Sequence, residues 1–199
     1  MPAGRLPAAL TLRRPLIVLS TLMLALGLAA CGHKEAHPNF ADSNNDGFYV
    51  DAGPVTYQLQ ISRELNQYSE EDSQYVKGLP AGMSPNLGPT QLWFGVFLWA
   101  KNQTSEPQTT SDHFRISDTL GNNYYPVKLD PELNPFAWTS QTLAPLATEP
   151  AVGSVASEGP TQGGLLLFKL NTSVYSNRPL TLWILSPEGK RLGGISLNL

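Results

Sequence analysis

The sequence predicts an all-β protein, in which residues 55–199 form an antiparallel β-sandwich of about seven strands. Seventeen glycines and seventeen prolines in 199 residues favour short strands joined by turns over a helical bundle. Apolar side chains alternate with polar ones or form short apolar runs, and no segment has a helical period. The segments predicted as strands are residues 55–62, 92–100, 114–116, 125–127, 164–170, 180–184 and 195–199.

The strand predicted at residues 92–100 (LWFGVFLWA) is apolar on both faces. Such a strand is central and covered on both sides, or it presents one face to a ligand. The first strand, residues 55–62, alternates between apolar and polar side chains and so has one wet face. Two long loops, residues 64–90 and 130–162, are rich in glycine, proline and polar side chains.

Residues 1–30 have the pattern of a secretion leader. Arginines lie in the first fourteen residues, and the charge-free stretch 15–30 ends at Cys31. That stretch is shorter than the roughly 20 apolar residues needed to span a membrane, and it fits a signal peptide. The string Leu28-Ala29-Ala30-Cys31 resembles the bacterial lipobox, which implies that the Cys31 thiol carries a diacylglycerol and that the chain is cut before it. We therefore expect a lipid-anchored protein on the extracytoplasmic face of the cell membrane; an uncleaved anchor is the alternative.

Residues 31–54 are predicted to be a flexible tether, because they lack an apolar period and are rich in Asn, Asp, Gly and Pro. Within them, Asp42, Asn44 and Asp46 match the first half of a calcium loop, with oxygen ligands at positions 1, 3 and 5 before a glycine. Position 12 of that loop requires Glu and here is Gly53. A cluster of Asx turns is therefore favoured over a metal site.

The order of several short segments resembles a known family. These segments are residues 96–102 (VFLWAKN), 114–118 (FRISD), 121–122 (GN), 124–126 (YYP) and 163–170 (GGLLLFKL). They resemble the immunoprotective extracellular immunoglobulin-like domains, also named a telomeric-repeat-factor-like domain of unknown function, of Gram-positive and actinobacterial lipoproteins. The resemblance covers roughly residues 55–199 and implies an immunoglobulin-like sandwich outside the cell. It brings no catalytic residues, and the long 130–162 loop departs from the family pattern.

Composition argues against several functional classes. Without the three arginines of the leader, ten basic and sixteen acidic residues remain, a formal charge of −6, which disfavours nucleic acid as a partner. A single cysteine rules out disulfides and Cys-rich zinc sites within one chain. No nucleophile elbow occurs, and His113 is the one imidazole of the predicted sandwich. We expect no enzyme activity and no cofactor.

The sequence therefore predicts a non-catalytic binding module with an unidentified protein or polymer partner in the cell envelope. Tyr68, Tyr75 and Phe136, which lie in the two long loops, are its candidate anchors. A carbohydrate or envelope-polymer binder is the first alternative, with Trp93 and Trp99 of one strand face as a stacking platform. An accessory lipoprotein of a transporter is the second, disfavoured because no βαβ pattern occurs.

Overall fold

A computed structural model describes residues 36–42, 49–197 and 199, and this part of the chain contains twelve β-strands and four short helices. The strands are β1 (Phe40–Asp42), β2 (Tyr49–Ala52), β3 (Val55–Leu65), β4 (Gln91–Asn102), β5 (Gln108–Thr109), β6 (His113–Ser117), β7 (Asn123–Tyr124), β8 (Thr142–Leu143), β9 (Thr148–Glu149), β10 (Gly164–Asn171), β11 (Leu180–Leu185) and β12 (Arg191–Leu197). The helices are α1 (Glu70–Ser73), α2 (Val155–Glu158) and the 3₁₀ turns Gln74–Val76 and Thr172–Ser176. No helix among the described residues is long and apolar enough to cross a membrane.

Two sheets form a sandwich, which confirms the predicted fold class. The first sheet has the order β1-β12-β11-β6-β7; the second has β10-β4-β3-β2, with β9 paired to the end of β4. β5 and β8 form a separate ribbon. In immunoglobulin terms β3, β4 and β10 occupy positions A, B and E, while β12, β11, β6 and β7 occupy G, F, C and C′. The strands beyond the predicted seven are two to four residues long, too short to show a period in sequence.

Strand β4 is covered on both faces, as its composition indicates. Its residues Leu92, Phe94, Val96 and Leu98 lie in the core between the two sheets. Trp93 and Phe97 lie on the opposite face in a second hydrophobic core, which residues from the 64–90 and 130–162 loops close. Each large side chain fully buried in this way stabilises the fold by roughly 1.5–3 kcal/mol. The long loops are therefore packed structure.

A β-bulge in β3 reverses which side chains of its second half point towards the main core. Val55, Tyr57 and Leu59 face the main core, as the alternation predicts. The register with β4 shifts between Leu59 and Ile61. These two residues pair with the consecutive residues Leu98 and Phe97 of β4, so β3 has one extra residue between them. Ile61 is consequently 40% exposed, although its position in the alternation predicts burial. Past the bulge, Leu65 points into the second core.

The predicted boundary between tether and domain, at residue 55, is too late. The compact unit begins at Ala36. Strand β1 pairs in parallel with β12, and β2 pairs with β3, so that Ala41, Val50 and Ala52 enter the main core. β12 is therefore not an edge strand. The sequence hides these strands because each is only three or four residues long and contributes one or two small apolar side chains. The predicted signal peptide, Cys31 and residues 32–35 lie outside the described residues.

Candidate ligand-binding surface

Three of the five aromatic residues predicted to contact a ligand are buried, and the prediction is wrong for them. Tyr75 is fully buried, Trp93 is 1% exposed and Phe136 is 4% exposed. The Tyr75 ring packs edge-on against Phe97 and Phe136 at centroid distances of 5.1 and 4.9 Å. The Trp93 indole donates a 2.7 Å hydrogen bond to the Pro85 carbonyl. These rings pack between the long loops and the outer face of β4, and the loops thereby shield the apolar side chains of that face from water.

Asn134 joins the two long loops to each other. Its buried amide donates to the carbonyls of Tyr75 (3.1 Å) and Lys77 (3.0 Å), and its Oδ1 accepts from the Phe136 N–H. Gly78 completes the junction with a positive φ of 68°, and a Cβ there would lie 2.8 Å from the Asp130 carbonyl oxygen. Both loops therefore have one fixed arrangement over the second core.

Tyr68 is the predicted site residue that remains exposed, with 80% of its surface accessible. It borders an open cavity of about 270 Å³, whose polar lining includes Glu64, Asn66, Gln67 and Gln91. The Tyr68 N–H donates to Asn66 Oδ1 at 3.0 Å, so an Asx turn fixes the backbone at this tip. We call this arrangement the Tyr68 cleft.

An ion pair anchors the Tyr68 cleft to β3. Arg63 reaches both carboxylate oxygens of Asp72, at 2.6 and 3.1 Å, and the Asn66 N–H adds a 2.8 Å hydrogen bond to the same carboxylate. Burial alone would raise the pKa of Asp72, but the hydrogen bonds from Arg63 and Asn66 outweigh it and lower the pKa. On the far side, the Gln67 amide exchanges two hydrogen bonds with the backbone of Leu87. The cleft is thus shaped before any ligand arrives.

Trp99 lies in a different cavity from Trp93, so the two do not form one stacking platform. Half-buried Trp99 lines a space of about 120 Å³ with Tyr49, Gln58, Lys101 and Gln103, and we call it the Trp99 cleft. Its indole Nε1 is buried and has no acceptor among the described residues. Tyr49 is 44% exposed, and its ring centroid lies 5.1 Å from that of His37. Sequence analysis missed Tyr49 because it assigned this residue to the tether.

The Trp99 cleft has an ordered polar wall. Gln103 Nε2 donates to Thr56 Oγ1 at 3.2 Å, and Thr56 Oγ1 donates to Asp51 Oδ1 at 2.6 Å. The His37 backbone N–H closes the chain with a 3.1 Å hydrogen bond to Asp51 Oδ2. The segment just before β1 is therefore bound to β2.

The predicted calcium ligands are only partly described. Asp42 is the last residue of β1, opposite Ser196 of β12, so it belongs to a strand and not to the start of a loop. Asn44 and Asp46 lie outside the described residues. Within residues 36–42, 49–197 and 199, no group of three His, Cys, Asp or Glu side chains is arranged to hold a metal ion. His113 is exposed and lies 3.1 Å from the exposed Asp112 carboxylate.

Glu149 is a buried acidic side chain without a counter-ion among the described residues. Glu149, 3% exposed, accepts a 2.5 Å hydrogen bond from Thr110 at Oε2, while its buried Oε1 has no well-aligned donor in the described part of the chain. Burial raises the pKa of Glu149 to about 7, and the Thr110 hydrogen bond offsets only part of that rise. Glu149 borders a cavity of about 190 Å³ with Gln141 and Ser154. Sequence analysis gave no signal for this group, since a single Glu next to Pro reads as a loop residue.

Comparison with known proteins finds weak similarity to solved structures. No family model matches this chain, and no curated protein matches it, so the family resemblance stays a prediction. Among solved structures, yjhA of Bacillus subtilis matches at 10% identity and a TM-score of 0.47, over 79% of this chain and 99% of its own. Bacillus subtilis ycdA, described as a candidate lipoprotein, matches at 12% identity and 0.44, over 78% of this chain and 38% of its own. A β-sandwich protein of Clostridium difficile matches at 11% identity and 0.41, over 83% and 99%.

Proposed function

We propose that this protein is a lipid-anchored, extracytoplasmic binding module that presents a preformed surface to a protein or polymer of the cell envelope and performs no catalysis. The basic leader, the charge-free stretch and the lipobox-like string ending at Cys31 support the anchor. Two or more acyl chains are needed for firm attachment, since one alone gives marginal binding. The sandwich would then stand at the membrane surface with its loops open to partners.

The Tyr68 cleft is the observation that carries this proposal. Tyrosine offers a large amphipathic contact area at a low cost in side-chain entropy. Here the loop beneath Tyr68 is already fixed by Asp72 and by Gln67, so a partner would not have to order it. A rigid loop with an 80% exposed aromatic tip has no role in either hydrophobic core. Partner recognition accounts for the combination.

A photo-crosslinking experiment tests the cleft. The crosslinking amino acid p-benzoylphenylalanine replaces Tyr68 in the full chain, and the cells are irradiated before their membranes are isolated. The matched control places it at Leu133, which is 63% exposed on the other long loop. We expect a discrete adduct from position 68 and none from position 133. Tyr68→Ala should weaken capture of the same partner by roughly 30-fold, as for a central interface residue. Adducts of equal yield at both positions would count against a specific site.

The anchor is tested separately. Cys31→Ser should abolish labelling by a fatty-acid analogue and release the protein to the medium or leave it as a precursor. Normal labelling of that variant would contradict the anchor while leaving the Tyr68 cleft untouched.

Carbohydrate recognition at the Trp99 cleft is the second candidate function. Trp99 is half-buried, so part of its ring is open to stacking, and the neighbouring Gln103 and Tyr49 are common contacts of sugars. Soluble envelope polysaccharide fragments should bind the wild-type chain and bind Trp99→Ala several-fold more weakly, because that variant loses the aromatic surface. Tyr68→Ala serves as the control and should bind these fragments normally.

A further inference from the structure

The outer face of the β1-β12-β11-β6-β7 sheet carries a row of aromatic and arginine side chains. Register places Phe40 opposite Gly194, Gly194 opposite Trp183, and Trp183 opposite Arg115. Their neighbours Ala41, Leu182 and Ile116 point inward to the main core, so the row points outward. Tyr125, 64% exposed, comes directly after β7 and continues the row beyond Arg115. We call this row, with Arg191, the Trp183 face.

Gly194 lets the aromatic side chains lie flat on this face. A Cβ at Gly194 would meet the Trp183 ring at 2.7 Å and the Phe40 ring at 2.9 Å, so both rings extend over the glycine. The Arg191 guanidinium stacks on Trp183 with 4.2 Å between its carbon and the ring centroid. The Trp183 Nε1 donates to Ser117 Oγ at 2.9 Å, which fixes the indole in place. Phe40 is still 46% exposed, so the packing leaves an apolar surface in water.

Both arginines of the face lack an acidic partner among the described residues. The ion pairs seen there involve Arg63, His37 and His113, and none includes Arg115 or Arg191. The Arg115 Nε is buried and meets no acceptor in the described part of the chain. A guanidinium binds phosphate oxygens in a forked geometry, so an unpaired, partly buried arginine beside tryptophan is suited to a phosphate-bearing surface.

Acidic side chains are concentrated on the opposite side of the sandwich. The loops 64–90 and 130–162, which cover the other sheet, carry eight of the sixteen acidic residues: Glu64, Glu70, Glu71, Asp72, Asp130, Glu132, Glu149 and Glu158. Six of these are available to the surface charge, since Glu149 is buried and Asp72 is paired with Arg63. The formal charge of −6 that remains without the leader is therefore unevenly distributed. Asp42, at the end of β1, is an exposed acidic side chain on the same side as Phe40, but the arginines outnumber it there. An anionic surface would therefore be repelled more strongly by the loop side than by the Trp183 face.

Chain length places a membrane within reach of the Trp183 face. Five peptide steps separate Cys31 from Ala36, where the compact unit begins, a maximal reach of about 18 Å. Electrostatic attraction to lipid headgroups is screened beyond about 8 Å at physiological salt, so a short connection is needed for it to act. Tryptophan and tyrosine favour the membrane interface, and each arginine near an anionic leaflet adds about 1 kcal/mol.

We infer that the Trp183 face docks on the anionic lipid surface of the membrane that holds the anchor. This inference rests on the proposed lipidation for the proximity of the membrane. Docking orients the sandwich with Phe40 and Trp183 at the headgroup level and the acidic loop side, including the Tyr68 cleft, away from the bilayer. It gives the bare outer sheet face a partner and leaves the proposed binding surface accessible.

Vesicle sedimentation tests the inference without the lipid anchor. The chain from residue 31 to 199 carries Cys31→Ser and retains the whole compact unit with both cores. It is mixed with vesicles of phosphatidylcholine alone or with 30% phosphatidylglycerol at low salt. We expect binding to the anionic vesicles and little to the neutral ones. Arg115→Gln with Arg191→Gln should lower the partition coefficient by about 30-fold, since each arginine contributes roughly fivefold.

The matched control removes two positive charges from the other sheet. Lys101→Gln with Lys169→Gln makes the same change in net charge on exposed positions of β4 and β10. We expect this control to change the partition coefficient by less than twofold. Equal losses in both double variants would overturn the inference, as would no binding of the wild-type chain to anionic vesicles. If Arg115→Gln lowers the melting temperature, Arg191→Gln alone, at an exposed position, should still give about a fivefold loss.

This design separates the two proposals. Loss of fatty-acid labelling at Cys31 bears on the anchor and not on vesicle binding by the unlipidated chain. Failure of vesicle binding bears on the Trp183 face and leaves the anchor and the Tyr68 cleft standing.

Discussion

Glu149→Gln should remove most of the dependence of stability on pH between pH 5 and pH 8. The Glu149 side chain is buried and lacks a counter-ion among the described residues, so its charged form is disfavoured in the folded state. Burial raises the pKa of Glu149 from 4.5 to about 7. A glutamine side chain at this position would have nearly the same shape, and its carbonyl can accept the Thr110 hydrogen bond without ever carrying a charge.

The sign and size of the effect follow from proton linkage. Because the folded state binds the Glu149 proton more tightly than the unfolded state, its stabilisation is complete below about pH 4.5. It is lost as pH rises towards 7 and changes no further above that pH. A shift from 4.5 to about 7 corresponds to roughly 3 kcal/mol, since one pKa unit is worth about 1.4 kcal/mol. Because part of this stabilisation is already lost at pH 5, the wild-type free energy of unfolding should be about 2.5 kcal/mol lower at pH 8 than at pH 5.

Urea unfolding followed by tryptophan fluorescence at pH 5, 6, 7 and 8 measures this difference. The Glu149→Gln curve should fall by less than about 1 kcal/mol over the same range, and at pH 8 the variant should exceed the wild type. Glu132→Gln, at an exposed loop position, controls for the loss of one negative charge and should keep the wild-type dependence. Parallel curves for wild type and Glu149→Gln would refute the explanation from burial.

Two further stability changes are expected. Tyr75→Ala should lower the free energy of unfolding by about 3–5 kcal/mol, because it opens a cavity in the second core. Tyr75→Phe should be neutral or stabilising by about 1 kcal/mol, because the buried Tyr75 hydroxyl has no partner among the described residues. Denaturant midpoints distinguish the two variants. Asp118→Ala should destabilise the fold by roughly 2 kcal/mol at pH 7: burial alone would raise the pKa of Asp118, but hydrogen bonds from Asn122, Tyr124 and Asn177 lower it to about 2. That stabilisation is present above about pH 4 and is lost as pH falls towards 2, so thermal melts at pH 2 and pH 7 should converge for wild type and variant at the lower pH.

The long strands were predictable because their patterns are local. The apolar run of β4 and the alternation at the start of β3 indicate strands without knowledge of the fold. Because both faces of β4 are apolar, the sequence also indicated that other residues must cover the outer face. In the structure Tyr75 and Phe136 do so. Which loop aromatics provide it depends on contacts distant in sequence, so composition alone could not separate them from Tyr68.

The short strands and the surfaces were not predictable for the same reason. β1 and β2 owe their conformation to hydrogen bonds with β12 and β3, and their own three or four residues carry almost no pattern. The Trp183 face forms because four strands from distant parts of the sequence lie side by side. Their pairing aligns Phe40, Gly194, Trp183 and Arg115 in one row. Glu149 is buried by tertiary packing alone.

The parallel pairing of β1 with β12 has a mechanical consequence for an anchored protein. If the protein is anchored through Cys31, tension from an envelope partner would reach His37 and Pro38 first and then β1. We consider a pull along the axis of β1. Three residue pairs, Phe40–Gly194, Ala41–Ile195 and Asp42–Ser196, would then be loaded together in shear, and could not be unzipped one after another. The contacts of Pro38 and His37 with Asp51 share that load with the second sheet. In a protein anchored through Cys31, β1 would thus resist such a pull with its three pairs at once.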